Sequence, residues 1–192
     1  MNKKMILAGI AFGMAFAGAL NAEEKVQFVK QESPLNEAKI LNAIDINQKA
    51  NLVFQPDGGV EGGCYKATKA AGIKRSMSIA FAKTPQMNIS NTAAPVSMKL
   101  QIKGKGNIRL SFLCYNKARR YFYQLDKPFR KLDTKGEWQT VEFVFTPSPK
   151  NSRYLAEVAY VMPTLMVDSG EFLIDNWLAE VKNPTAEIKL ED

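Results

Sequence analysis

From Val96 to Tyr115 apolar and polar residues alternate with few breaks. Val96, Met98, Leu100 and Ile102 interleave with Ser97, Lys99, Gln101 and Lys103; Ile108, Leu110, Phe112 and Cys114 then interleave with Arg109, Ser111, Leu113 and Tyr115. Side chains of a strand point to opposite faces with a period of two, so each run offers one apolar face to a core. Between them stands Lys103-Gly104-Lys105-Gly106-Asn107, whose glycines suit the positive φ of a short hairpin loop. The pattern predicts two strands joined by a tight turn, the centre of the fold.

The same period recurs along the chain. Val26 to Val29 reads as a short edge strand, and Leu52-Val53-Phe54 as a strand stopped by Pro56-Asp57-Gly58-Gly59. Ser33-Pro34 is a helix-start signal, followed by a short helix or turn. Cys64 to Lys69 and Arg75 to Ala82 read as strands, the second with Met77, Ile79 and Phe81 inward, and Lys83 to Pro95 as a polar loop. Arg120 to Leu125, Trp138 to Thr146, Tyr154 to Met162 and Glu171 to Val181 complete the set; Val141, Phe143 and Phe145 share one face, as do Tyr154, Ala156, Val158 and Tyr160. Many short strands separated by Gly, Pro and Asn turns, with no long helical pattern, predict an all-β antiparallel β-sandwich.

Composition changes the picture at the N-terminus. Lys3 and Lys4, an apolar run from Met5 to Leu20 and small residues up to Ala22 have the form of a secretory signal peptide over residues 1–22. The run is about 16 residues, short of the roughly 20 that span a bilayer. The expectation is an exported chain, periplasmic or extracellular, with no membrane span after cleavage. It would hold one sandwich domain over 23–182 and a polar tail over 183–192. The formal charge of +7 includes the two signal lysines. What remains is a moderate basic excess, which favours anionic polymers or surfaces over nucleic acid.

The 192 residues contain no histidine. That removes the commonest general base near neutral pH and the commonest metal ligand. Two cysteines, Cys64 and Cys114, leave two readings open: one disulfide of an exported protein, or two separate buried thiols.

The order of segments resembles a known family. Gly63-Cys64-Tyr65-Lys66-Ala67, the run from Val96 to Phe112, Gly136-Glu137-Trp138-Gln139-Thr140-Val141 and Phe172-Leu173-Ile174-Asp175-Asn176-Trp177-Leu178 are similar to the jelly-roll carbohydrate-binding modules of the galactose-binding-like superfamily, near families 4, 9, 16 and 22. The recognisable part runs from 60 to 182. The resemblance implies a non-catalytic glycan-binding domain with a structural calcium liganded from the closing strand, a position that falls on Asp175. The second acid of that pair is Asn176 here, and Gln55 to Glu61 matches the family's early ligand segment poorly.

A sugar offers flat C–H faces and many hydroxyls, so its site needs aromatic platforms and a few polar groups. Arg109, Tyr115, Arg119, Arg120, Tyr121 and Tyr123 supply both on neighbouring segments, and the arginines suit carboxylate or sulfate oxygens. The expected partner is a polysaccharide or oligosaccharide, anionic in the sharper form of the expectation. The strand acids Glu142, Glu157, Glu171 and Asp175 form no compact pair motif of the kind glycoside hydrolysis needs. The competing reading is a structural or interaction protein of the cell envelope built on the same sandwich; a glycan-active hydrolase or lyase ranks third.

Overall fold

The computed structural model describes residues 24–30, 41–82, 86–126 and 128–184. The expected signal peptide over residues 1–22, the helix start at Ser33-Pro34 and the tail beyond Pro184 lie outside them. The strands are β1 (Glu24–Lys30), β2 (Leu41–Ala43), β3 (Leu52–Gln55), β4 (Cys64–Thr68), β5 (Met77–Phe81), β6 (Met87–Asn88), β7 (Val96–Tyr115), β8 (Tyr121–Asp126), β9 (Arg130–Asp133), β10 (Gln139–Phe145) and β11 (Tyr160–Pro184). One short helix, α1 (Ser152–Glu157), precedes β11, and a 3-10 turn over Ile46–Asn51 precedes β3.

β7 and β11 organise everything else. They pair antiparallel from Val96↔Val181 to Tyr115↔Tyr160. β10 flanks the first half of β7. β8 and β9 flank its second half. Along β11, β6 and β5 pair with its first part, β4 with its middle and β1 with its end. All pairings are antiparallel, and the result is an all-β sandwich whose layers share two long strands.

The expected turn at 103–107 is not a turn. β7 runs straight through it, with Gly104 at φ +146° and Gly106 at φ +154°. A Cβ on Gly104 would collide with the Glu171 carbonyl, and one on Gly106 with the Ser169 carbonyl. The glycines serve close approach of two backbones at the corner where the ribbon passes between layers, which is a second use of glycine in strands. The predicted parity holds on both sides of the corner: Val96, Met98, Leu100, Ile102, Ile108, Leu110, Phe112 and Cys114 are all buried. Phe112, from the second half of β7, packs on Phe143, which pairs beside the first half, with ring centroids 5.5 Å apart. The two halves thus face each other across one core.

Two further expectations are corrected. Tyr154 to Val158 is not strand: Ser152–Glu157 is α1, and Tyr154 and Val158 are buried at helical spacing. The loop from Lys83 to Pro95 contains β6, with Met87 and Ile89 buried.

Candidate functional site

The outer surface of the β8–β7–β11–β6 layer carries a row of aromatic side chains. Tyr121 on β8 lies opposite Tyr115 on β7, Tyr115 opposite Tyr160 on β11, and Tyr160 opposite Asn88 on β6. Directly opposed residues share a face, so the four form one line. At roughly 4.8 Å per strand spacing the line is about 14 Å wide. The Tyr115 and Tyr121 rings meet edge to face at 6.1 Å, and Tyr121 is 55% exposed. Burial, and then the neighbouring Tyr121 hydroxyl, push the Tyr115 phenol above its ordinary value, so it stays a hydrogen-bond donor well into alkaline solution.

The turn joining β7 to β8 borders this row. Asn116 Oδ1 accepts from the N–H groups of Ala118 and Arg120, and the Arg119 N–H donates to the Asn116 carbonyl. This Asx geometry is why an asparagine begins the turn. Arg119 sits at φ +55°, a left-handed position usual for glycine or asparagine. Its guanidinium lies 4.7 Å from the centroid of the Tyr160 ring. Lys117, Arg119 and Arg120 are all exposed and carry no ion pair among the described contacts.

Of the six sugar-binding residues expected from sequence, the structure brings four together: Tyr115, Arg119, Arg120 and Tyr121. Tyr123 leaves the group. A bulge at Cys114/Tyr115 sets Tyr121 against Tyr115 but Tyr123 against Cys114, so the two tyrosines fall on opposite faces and Tyr123 packs on the core. Arg109 also stands apart, six residues along β7, or about 20 Å. It is engaged there: Nη1 is 2.6 Å from Asp126 Oδ2 and the guanidinium lies 4.2 Å over Phe129. Sequence reasoning missed Tyr160, which it placed in phase with the residues of α1. The length of that apolar spacing, i to i+4 from Tyr154 to Val158, was the signal for a helical turn.

Asp175 occupies a different place, under the loop from Pro56 to Gly63. It is fully buried at a bulge of β11; Oδ2 accepts from Val60 N–H and Oδ1 from Asn176 N–H, both at 2.7 Å. Gly59 passes so close that a Cβ there would lie 2.8 Å from Asp175 Oδ2 and against the Gly63 carbonyl. The Asn176 amide turns away and donates to Gln101 Oε1 at 2.6 Å. Calcium takes six to eight oxygen ligands. Here both Asp175 oxygens already hold backbone N–H groups, the neighbouring amide is committed elsewhere, and among the described residues no three Asp, Glu, Cys or His side chains gather as a metal group. This donor set does not fit a calcium cage. Cys64 and Cys114 are both free and buried, the second of the two readings left open. Burial pushes the Cys114 thiol up to about 12, which keeps it protonated and unreactive.

No family model and no curated protein matches the sequence. Solved structures do. An arabinose-bound α-L-arabinofuranosidase, MgGH51, is similar with a TM-score of 0.51 and 11% identity over 79% of this chain and 24% of that one, so the likeness concerns one part of a larger enzyme. The CBM22-1 xylan-binding domain from Paenibacillus barcinonensis Xyn10C gives a TM-score of 0.47 and 6% identity, covering 82% of this chain and 87% of that one. The family 11 carbohydrate-binding module of Lic26A-Cel5E of Clostridium thermocellum gives 0.46 and 12%, covering 90% and 94%. The fold is an antiparallel all-β sandwich of jelly-roll type. At such low identity the likeness is of fold alone, and no residue role passes from those proteins to this jelly roll.

Proposed function

We propose that this protein is a non-catalytic carbohydrate-binding protein, exported by its N-terminal segment, and that its ligand is an acidic polysaccharide lying along the tyrosine row. A jelly roll hosts many functions, so the reading rests on the site. The observation that carries it is the line Tyr121–Tyr115–Tyr160 across three adjacent strands, bordered by a turn bearing Lys117, Arg119 and Arg120. Tyrosine rings offer apolar faces to sugar C–H groups while their hydroxyls reach the rim. Arginine forks grip carboxylate or sulfate oxygens in bidentate fashion. Several of the strand and helix acids are engaged elsewhere, which supports a binding role over a hydrolytic one. Glu171 pairs with Lys66 at 2.7 Å, Glu157 with Arg153 at 3.3 Å and Asp126 with Arg109 at 2.6 Å, while Asp175 is buried.

The test is affinity electrophoresis through gels containing polygalacturonate, alginate or heparin. The wild type should be retarded, and the retardation should fall as salt shortens the screening length from roughly 30 Å at 0.01 M to about 8 Å at physiological strength. Tyr115→Ala with Tyr121→Ala should weaken binding about five- to tenfold at every salt concentration. Release of reducing ends or unsaturated products would refute the non-catalytic reading. Retention by no polysaccharide, together with recovery of an envelope protein in a pull-down, would replace the whole reading with a structural one.

A further inference from the structure

Arg119 raises a question that the binding row alone does not answer. Its guanidinium occupies one face of the Tyr160 ring, 4.7 Å from the centroid, and that ring is one of the three platforms. The backbone that aims it there is held at φ +55°, which a residue with a Cβ adopts only under constraint from its surroundings. The constraint is visible: Asn116 Oδ1 ties the N–H groups of Ala118 and Arg120 on either side of it. No carboxylate among the described ion pairs competes for the guanidinium.

From this arrangement, and resting on the proposed sugar-binding row, we infer that Arg119 is a specificity-determining residue that excludes neutral glycans. In the free protein its cation holds the place on Tyr160 where a sugar ring would stack. A neutral sugar must displace it and gives it nothing in return. An acidic sugar displaces it too, but offers the guanidinium a carboxylate or sulfate within reach of the same turn. The ring contact and the ion pair are of similar strength at a partly exposed site, so the exchange is close to balanced for an acidic ligand and unfavourable for a neutral one. Selectivity then comes from a penalty on the wrong ligand as well as from attraction to the right one. Arg120, which shares the turn but makes no described ring contact, contributes attraction only.

The experiment compares three polymers, polygalacturonate and alginate each with its carboxyl-reduced counterpart, and heparin with a counterpart both desulfated and carboxyl-reduced. Retention of wild type, Arg119→Gly, Arg119→Asn and Arg120→Ala is measured in gels of all six. Glycine and asparagine both accept the left-handed backbone, so the turn is kept. For whichever pair the wild type recognises, both Arg119 variants should bind the reduced polymer about two- to fivefold more tightly than wild type and the acidic one with little change, because the lost ion pair and the lost displacement cost nearly cancel. Arg120→Ala should lose acidic retention without any such gain. If neutral retention falls or stays level in both Arg119 variants, Arg119 does not exclude neutral glycans and the inference is overturned, while the tyrosine row stands. If the wild type is retained by no member of any pair, the sugar reading of the row fails and takes this inference with it.

Discussion

Gly106→Ala tests the central feature of the fold, the passage of two continuous strands through both layers. Two costs are expected. The first is backbone: φ of +154° is open to glycine, and a Cβ in the positive-φ region costs about 1–2 kcal/mol. The second is collision: the new methyl would meet the Ser169 carbonyl and lie 2.8 Å from Ser169 C and 2.9 Å from Gly170 Cα, all backbone atoms that cannot rotate aside. Overpacking of this kind costs about 1–3 kcal/mol. The sum is about 2–5 kcal/mol. Gly136→Ala is the internal control, because Gly136 also has positive φ, +84°, but nothing lies within 4 Å of its Cβ position; it should cost only the backbone share. Urea unfolding followed by the fluorescence of Trp177, which is fully buried against Phe81, reads both. With a slope of about 2 kcal/mol/M, the two variants should differ in midpoint by roughly 0.5–1.5 M. Equal midpoints for Gly106→Ala and Gly136→Ala would mean that the glycine marks a free turn, and the continuous-strand description would fall.

Other expectations follow from single sites. Asp175→Ala leaves the part-buried N–H groups of Val60 and Asn176 without their acceptor and should cost about 2 kcal/mol, with or without chelator; a melting temperature that drops on chelation in the wild type alone would show that calcium is held after all. Phe112→Ala should cost about 3–5 kcal/mol by emptying the centre of the core, and a loss under about 1 kcal/mol would refute the assigned inward phase. The Asp133 carboxyl is held from 3.8 down to about 2, first by the Lys135 N–H and then by the Lys105 and Lys135 side chains. A group held low stabilises the fold above its unfolded value and loses that contribution as pH falls through its folded one, here between about pH 4 and pH 2. Asp133→Asn should flatten melting temperature against pH in that window, and an unaltered profile would remove Asp133 from the acid response.

Much of the fold was legible because a half-buried strand repeats every second residue. The inward set Met77, Ile79, Phe81, Val141 and Phe143 is readable from spacing alone and is buried. Gly104 and Gly106 were misread because glycine in an alternating run has two uses, turn and close approach, and only the position of β11 decides between them. Tyr123 was misplaced for a related reason. One extra residue at the Cys114/Tyr115 bulge reverses the parity of β8, and a bulge leaves no mark in composition. Tyr160 was hidden by a boundary, since α1 ends only three residues before it. The candidate site was therefore visible as residue types in neighbouring segments, while its geometry depends on pairings between segments far apart in the chain.

The long β7–β11 ribbon also sets the order in which this chain can fold. Val96 must find Val181, and Tyr115 must find Tyr160, before either layer has its central strands. Such non-local pairing has to meet the entropy of loop closure before it gains stabilising contacts, which makes zippering slow. Synthesis proceeds from the N-terminus at about 5–20 residues per second, so β7 exists without its principal partner while the chain from Tyr115 to Tyr160 is added. The nascent chain should stay open until the final strand is complete. A chain truncated before Tyr160 should show no cooperative unfolding transition, and full-length protein should refold with a rate governed by the meeting of these two strands.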